Sequence, residues 1–268
     1  MTAPNNAPTI SPNTAPILAL DKISKRFGAI VIADGIDLAL GAGEALGIIG
    51  PNGAGKTTLF GIISGTVPPD SGRVLYAGTD ITHMPPARRC ALGIGKSAGE
   101  KSGIGRSFQI PLPFGGMSVF ENLVVAAAFG AGSREHDAYA RCMEILDQCG
   151  LADKANRPSA SLGLLDRKRL ELARALATDP KVLLLDEVAG GLTEHECHAL
   201  VALINGLRQR GVSIIWIEHV VHALLASIDR LLVLHNGGFI AGGDPQTVIR
   251  SPQVAEIYMG IEADAESL

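Results

Sequence analysis

The stretch that decides the fold is Gly50-Pro51-Asn52-Gly53-Ala54-Gly55-Lys56-Thr57-Thr58. It has the pattern of a phosphate-binding loop, in which two glycines bracket four residues ahead of a lysine and a hydroxyl residue. Glycines let backbone N–H groups approach phosphate oxygens, Lys56 would reach the β- and γ-phosphates, and the Thr57 hydroxyl would hold Mg²⁺. A strand pattern over residues 45–49 and a helical pattern over 58–63 disfavour a chance glycine-rich turn. We therefore predict that all nine residues bind the phosphates of a nucleotide at a helix N-terminus.

Composition bounds the remaining possibilities. The 268 residues allow one or two domains with a sizeable core, and a net charge of -4 gives no reason to expect nucleic acid. Four cysteines without C-x-x-C spacing indicate reduced thiols rather than a zinc site. No apolar run is long enough to span a bilayer, and the Pro-rich residues 1–16 resemble a disordered tail rather than a signal peptide.

Strand and helix patterns alternate along the second half of the chain. Strands are predicted over 182–185, 212–217 and 230–234, and helices over 194–210 and 220–227. Such alternation indicates βαβ units and a parallel sheet, so the predicted class is α/β. Further helices are predicted over 117–130, 139–149 and 167–177. Ser118 and Glu121 have capping-box spacing at the start of the first of these three.

Polar residues follow two of the predicted strands. Asp186 and Glu187 end the first strand, where Asp186 would hold Mg²⁺ and Glu187 would polarise an attacking water. A solvated acidic turn is the alternative. His219 follows the second strand, and ligands of such sheets gather at the strands' carboxyl ends, which favours a γ-phosphate contact over a structural role. Gln109 could offer its amide oxygen to Mg²⁺ or water, although a glutamine in a loop means little alone.

A short repeat precedes Gln109. Gly93-Ile94-Gly95-Lys96-Ser97 recurs ten positions later as Gly103-Ile104-Gly105-Arg106-Ser107. The first copy contains a Gly-Lys-Ser, but Cys90 stands where a phosphate loop needs its first glycine, so this is not a second loop. We expect the repeat to lengthen a surface loop, because such insertions cost little. An additional contact with a partner protein is the alternative.

The order of these motifs resembles that of the ATP-binding cassette (ABC) ATPases. The motifs are Phe27, Gly50–Thr58, Gln109, Leu162–Arg169, Leu183–Glu187, Gly191-Leu192 and His219, and the resemblance covers about residues 18–260. Finer features resemble ATPase subunits of branched-chain amino-acid importers, although subunits for urea, short amides and lipopolysaccharide share many of them. These features are Ser107-Phe108-Gln109, Val119–Leu123, Arg169–Arg174, Ala189–Leu192 and Ile257–Gly260.

The resemblance implies a fold and an activity. The fold would be a P-loop NTPase (RecA-like) core with a parallel sheet, an N-terminal antiparallel β subdomain and an inserted helical subdomain. A single domain would span 17–260, with the helical subdomain at about 110–178 and a C-terminal tail at 261–268. The chain would be an ATPase that uses ATP and Mg²⁺, and two copies, or this chain and a sister ATPase, would sandwich two ATP molecules head to tail. It would lie on the cytoplasmic face of the inner membrane, bound to two transmembrane permease subunits and indirectly served by a solute-binding protein.

Residue roles follow from the same resemblance. Phe27 would stack on adenine, Gln109 would link the nucleotide to the helical subdomain, and residues 189–193 would communicate across the dimer. The catalytic residues would be Lys56, Glu187 and His219. The metal ligands would be Thr57, Gln109 and Asp186. The N-terminus of the helix near Gly163 would donate to the γ-phosphate held by the other subunit.

The chain departs from the family's pattern at the signature, at the repeat over 93–107 and at Val188. Counting back from Arg169, Gly163 and Leu165 stand where the family's signature has a serine and a glycine, unless two residues are inserted after Gly163. Val188 replaces the usual proline after the catalytic glutamate, with little expected effect.

Three other functions remain open: a lipid or lipopolysaccharide export ATPase, a non-transport ABC ATPase, and a metabolic P-loop kinase. The sequence specifies neither the solute nor the pairing.

Overall fold

The computed structural model describes residues 15–92 and 102–257, whose strands form two sheets. The strands are β1 Leu18–Phe27, β2 Ile30–Leu40, β3 Ala45–Ile49, β4 Ser71–Tyr76, β5 Thr79–Asp80, β6 Ser102–Arg106, β7 Pro180–Asp186, β8 Ser213–Ile217, β9 Arg230–His235 and β10 Gly238–Gly243. The helices are α1 Lys56–Ser64, α2 Pro86–Cys90, α3 Val119–Gly130, α4 Glu135–Gln148, α5 Leu164–Ala177, α6 Glu194–Gln209, α7 Val221–Leu225 and α8 Pro245–Ile249. Residues 252–257 are also helical.

The first sheet is antiparallel, with the order β2-β1-β4-β5. Strand β1 pairs with β2 and β4, and Leu18 lies opposite both Leu40 and Tyr76. Alternate residues of these strands are buried, as expected for a sheet with one face on the core. The half-buried strand that the sequence predicts near residue 38 is therefore confirmed.

The second sheet is parallel except at one edge, with the order β10-β9-β3-β8-β7-β6. All residues of β3 and β8 are buried, as are all but one of β7. Such uninterrupted apolar runs are typical of strands covered on both faces. Val182 and Leu184 point into one core cluster, whereas Leu183 and Leu185 point into the other. The predicted α/β class and parallel sheet are confirmed.

Helices α3, α4 and α5 lie between β6 and β7 in the chain and pack on one another. Helix α3 begins with the predicted capping box: Ser118 Oγ accepts from Glu121 N at 3.1 Å, and Glu121 Oε2 accepts from Ser118 N at 2.7 Å. Helices α4 and α5 start four and three residues earlier than predicted; the first turn of α4 is mostly polar, whereas that of α5 begins with Leu164 and Leu165. The bounds 110–178 for the helical subdomain stay a prediction.

The second copy of the repeat is strand β6, not a surface loop. Ile104 is buried and lies opposite Val182 of β7. A Cβ at Gly103 would lie 2.0 Å from the carbonyl oxygen of Arg89, and one at Gly105 would lie 3.1 Å from that of Ala175. These glycines therefore admit close backbone approach inside the sheet, and the prediction of a loop is wrong for this copy.

Some predictions fall on residues that the structure does not describe. The first copy of the repeat, over 93–97, lies outside the described residues, as do the tails at 1–16 and 261–268 apart from residues 15 and 16. Within residues 15–92 and 102–257, none of the helices combines the length and the apolar character needed to cross a membrane.

Candidate functional site

The phosphate loop connects β3 to α1, as the sequence predicts. Gly55 caps α1 in a left-handed conformation, with φ of 99°, and a Cβ there would lie 2.8 Å from the carbonyl oxygen of Ile32. A Cβ at Gly50 would lie 2.2 Å from the carbonyl oxygen of Leu234. Both glycines are thus required by close packing. No acidic residue stands in the first turn of α1, so its free N–H groups and the helix dipole favour an anion.

The Lys56 side chain lies along this loop. Its Nζ donates to the carbonyl oxygens of Gly50, at 2.7 Å, and Pro51, at 3.0 Å. Burial lowers the pKa of the Lys56 ammonium, whereas the carboxylates of Glu187 and Asp186 raise it. The ammonium thus sits between the phosphate loop and the acidic end of β7.

Asp186 ends β7 and is almost completely buried. Its Oδ2 is 3.1 Å from Nη2 of Arg106, while its Oδ1 accepts no hydrogen bond from the residues that the structure describes. Burial raises the pKa of this carboxyl group, and the Arg106 guanidinium partly reverses the shift. Asp186, Thr57 and Gln109 line one open cavity, so the three predicted metal ligands do come together.

Three side chains from different loops meet at Glu187. Its Oε1 is 2.8 Å from Nε2 of His219, and its Oε2 accepts a hydrogen bond from Nε2 of Gln109. Glu187 has a φ of 49°, a left-handed conformation that is uncommon for a non-glycine residue and is often found at functional sites. The structure therefore brings together Gln109, Glu187 and His219, and the strand-end argument predicts the proximity of the last two.

Two other predicted residues lie apart from this cluster. Phe27 ends β1 with its ring 51% exposed and 5.3 Å from Nζ of Lys25, on the hairpin whose second strand contacts the phosphate loop through Ile32. Gly163 caps the N-terminus of α5 without a side-chain hydrogen bond, and a Cβ there would meet open space. An exposed aromatic face and an exposed helix N-terminus are both available to a ligand.

Sequence reasoning missed three charged residues around the cluster. Arg106 pairs with Asp186, Lys168 of α5 donates to the carbonyl oxygens of Gly190 and Glu187, and Glu218 accepts from backbone N–H groups of two loops. Glu218 follows a buried strand just as Asp186 and Glu187 do, so the same positional signal could have found it. No sequence pattern marks the other two.

Comparisons with known proteins agree on one family. The sequence model described as "ABC transporter" matches residues 33–190. The chain is 35% identical over 245 residues to a "Probable ABC transporter ATP-binding protein" of Azorhizobium caulinodans, covering 91% of this chain and 83% of that protein. It is 32% identical over 264 residues to a "Probable branched-chain amino acid transport ATP-binding protein LivG" of Methanocaldococcus jannaschii, covering 92% and 99%. A crystal structure of the ADP conformation of an ABC transporter cassette matches with a TM-score of 0.80 and 32% identity, covering 92% of this chain and 100% of the other.

Proposed function

The chain belongs to the ATP-binding subunits of ABC transporters and is an ATPase of that family, and we propose that it powers import of branched-chain amino acids or similar small amino-acid or amide solutes. The branched-chain amino acid transport role of the Methanocaldococcus relative supports this solute class. The observation that carries the catalytic part of the proposal is the meeting of Gln109, Glu187 and His219 beside the phosphate loop.

The nucleotide would be held by its two ends. The phosphates would lie on the N–H groups of residues 50–58, and Lys56 would leave its carbonyl partners for the β- and γ-phosphate oxygens. The adenine would stack on Phe27, because an exposed ring face suffices for a base and every base has a π-face.

Three residues of the adjoining cavity, which Arg106 and Arg174 also line, could hold Mg²⁺. Thr57, Gln109 and Asp186 each offer an oxygen atom, and the buried Oδ1 of Asp186 accepts no hydrogen bond in the described part of the chain. That part holds no cluster of three or more His, Cys, Asp or Glu side chains able to hold a metal, which suits an ion that keeps several waters and phosphate oxygens. When bound, Mg²⁺ would neutralise charge on the phosphates.

Glu187 would act as the general base. Gln109 donates a hydrogen bond to its carboxylate, and Nε2 of His219 lies 2.8 Å from the other carboxylate oxygen, so both side chains orient this group. It would polarise the attacking water, and the His219 imidazole would contact the γ-phosphate. Both roles require small shifts of these side chains once nucleotide enters, as is common for sites without ligand.

The site would be completed by a second ATPase subunit, either this chain or a sister. The N-terminus of α5 at Gly163 would face the γ-phosphate of the other subunit, and residues 189–193 would contact that subunit. The helix dipole at the exposed Gly163 supports this role, and Asp166 in the first turn of α5 is paired with Lys154 at 2.8 Å. The missing hydroxyl predicts a weaker contact than a serine would give.

Two permease subunits would dock on the surface formed by residues of the helical subdomain that come after Gln109 in the chain. The exposed apolar side chains of Ile110, Leu112 and Phe129, at 70%, 75% and 83%, support this placement. In this proposal the chain forms one domain over 17–260, and its helical subdomain at about 110–178 carries the docking surface. The domain would lie on the cytoplasmic face of the inner membrane. A solute-binding protein would be an indirect partner.

ATP hydrolysis by the purified chain tests the site. Glu187→Gln should lower kcat by about 10²-fold or more, because the isosteric amide cannot take a proton. Glu144→Gln, an exposed carboxylate on α4, is the matched control and should leave kcat unchanged. Equal activity of the two variants would refute the role of Glu187.

Capture of the tagged chain from its native membranes tests the transporter class. The proposal expects two hydrophobic permeases and a binding protein of amino-acid type, with or without a sister ATPase. Recovery of lipid-export components, or of no membrane protein, would refute the importer proposal and leave the ATPase assignment intact.

A further inference from the structure

Glu218 stands between the buried strand β8 and His219, and its side chain is itself buried, with 1% exposure. A carboxylate is costly to bury unless hydrogen-bond donors meet it. The family resemblance assigns no role to this residue. We therefore asked which hydrogen-bond donors stabilise this buried carboxylate next to the ATPase site.

Backbone N–H groups of two different loops meet the two carboxylate oxygens. Oε1 accepts from the N–H of Ala189 at 2.5 Å, and Oε2 accepts from the N–H groups of His219 at 3.0 Å and Val220 at 3.3 Å. Hydrogen bonds to an ionised acceptor are about twice as strong as neutral ones. One side chain thus ties the loop after β7 to the loop after β8.

These two loops carry the residues that face each other in the site. Glu187 lies two residues before Ala189, and its N–H donates to the carbonyl oxygen of Ile217 at 2.9 Å. The Glu187 and His219 side chains then meet at 2.8 Å. Because Glu187 has a left-handed backbone, its conformation depends on neighbours that hold the loop in place.

We propose that Glu218 is a positioning residue for ATP hydrolysis: its carboxylate bridges the two loops, so that Glu187 and His219 keep one mutual geometry. It touches neither residue's functional atoms and acts only through the backbone N–H groups of Ala189, His219 and Val220. The inference rests on the proposed roles of Glu187 and His219. It adds one further requirement for activity: the Glu218 carboxylate has to link the two loops that carry these residues.

Glu218→Gln is the direct test, because the amide keeps the shape but turns one acceptor oxygen into an NH₂ donor facing N–H donors. We expect kcat to fall about tenfold to a hundredfold, the cost of displacing a catalytic group by about 1 Å. The KM for ATP should change by less than about twofold, since the phosphate loop is untouched. Glu144→Gln is again the control, because it makes the same change on the surface.

A double-mutant cycle separates positioning from general stability. In a His219→Ala background, Glu218→Gln should lower kcat by a smaller factor than it does in the unmutated chain, because part of what it positions is gone. Multiplicative losses, or a normal kcat for Glu218→Gln, would overturn the proposal. If the glutamine variant does not fold, Glu218→Asp serves instead: it keeps the charge but cannot span both loops, so a normal kcat would again overturn it. If Glu187→Gln and His219→Ala are themselves fully active, the proposed function fails and not only this inference.

Discussion

Replacing Arg106 with methionine should destabilise the fold by about 3–5 kcal/mol at neutral pH, because it strands a buried carboxylate. The Arg106 and Asp186 side chains are 9% and 2% exposed and lie 3.1 Å apart. Methionine keeps the length of the chain between the rings of Phe60 and Phe108, so lost packing contributes little. The loss is large against a total stability of about 5–15 kcal/mol.

The loss should depend on pH, with a sign fixed by Asp186. Burial already raises the pKa of Asp186 above the ordinary 3.8, and removal of the Arg106 cation raises it further. Above pH 3.8 and up to the folded-state pKa, the folded protein then binds more protons than the unfolded chain. Its stability therefore falls as pH rises through that window. The variant's deficit should shrink when the pH is lowered from about 7.5 to about 5.5.

Urea unfolding followed by fluorescence measures this directly, because Trp216 is the only tryptophan and is fully buried in β8. Asp186→Asn supplies the second arm of a cycle. The Arg106→Met/Asp186→Asn double variant should lose less than the sum of the single losses by about 2 kcal/mol or more. Additive losses, together with a deficit that is the same at both pH values, would refute the argument that the pair is an energetic unit.

Three further variants or probes test separate parts of the site. Phe27→Ala should raise the KM for ATP by about tenfold to a hundredfold at constant kcat, because base stacking is worth about 1–3 kcal/mol; a change confined to kcat would exclude adenine stacking. Gly163→Ser should raise ATP turnover, alone or with a sister subunit, since a Cβ there meets open space; no gain in either setting would remove the idea of a weakened signature. Burial raises the pKa of Cys149 to about 12, so iodoacetamide at about pH 8 should leave this thiol unmodified in the folded protein by mass spectrometry, and rapid labelling would contradict its burial.

The sequence predicts those parts of the molecule whose cause is local. The phosphate loop, the capping box at Ser118 and the apolar run over 182–185 before Asp186 are each specified within a few residues. The meeting of Glu187 and His219 is predictable as well, because parallel neighbouring strands end at one edge of a sheet.

Features caused by distant contacts escape such patterns. The sequence pattern does not predict strand β6, because Gly103 and Gly105 lower its strand propensity. These two glycines fit where the carbonyl groups of Arg89 and Ala175 approach the backbone. The pairing of Arg106 with Asp186 joins residues 80 positions apart. Residue type alone does not identify such a partner, because many arginines in a chain of this kind are exposed.

The two ends of α1 show how local and distant causes combine in one function. Its N-terminus has no acidic residue and no side-chain cap, so the helix dipole there favours an anion. Its last turn has no basic residue either; instead Arg89 of α2, 1% exposed, donates to the carbonyl oxygens of Ile62 at 2.7 Å and Ile63 at 2.8 Å. A cation at the C-terminus and an anion at the N-terminus both stabilise the helix by interacting favourably with its dipole. The loop motif specifies the end that binds phosphate, whereas the opposite end depends on a buried arginine supplied by tertiary structure.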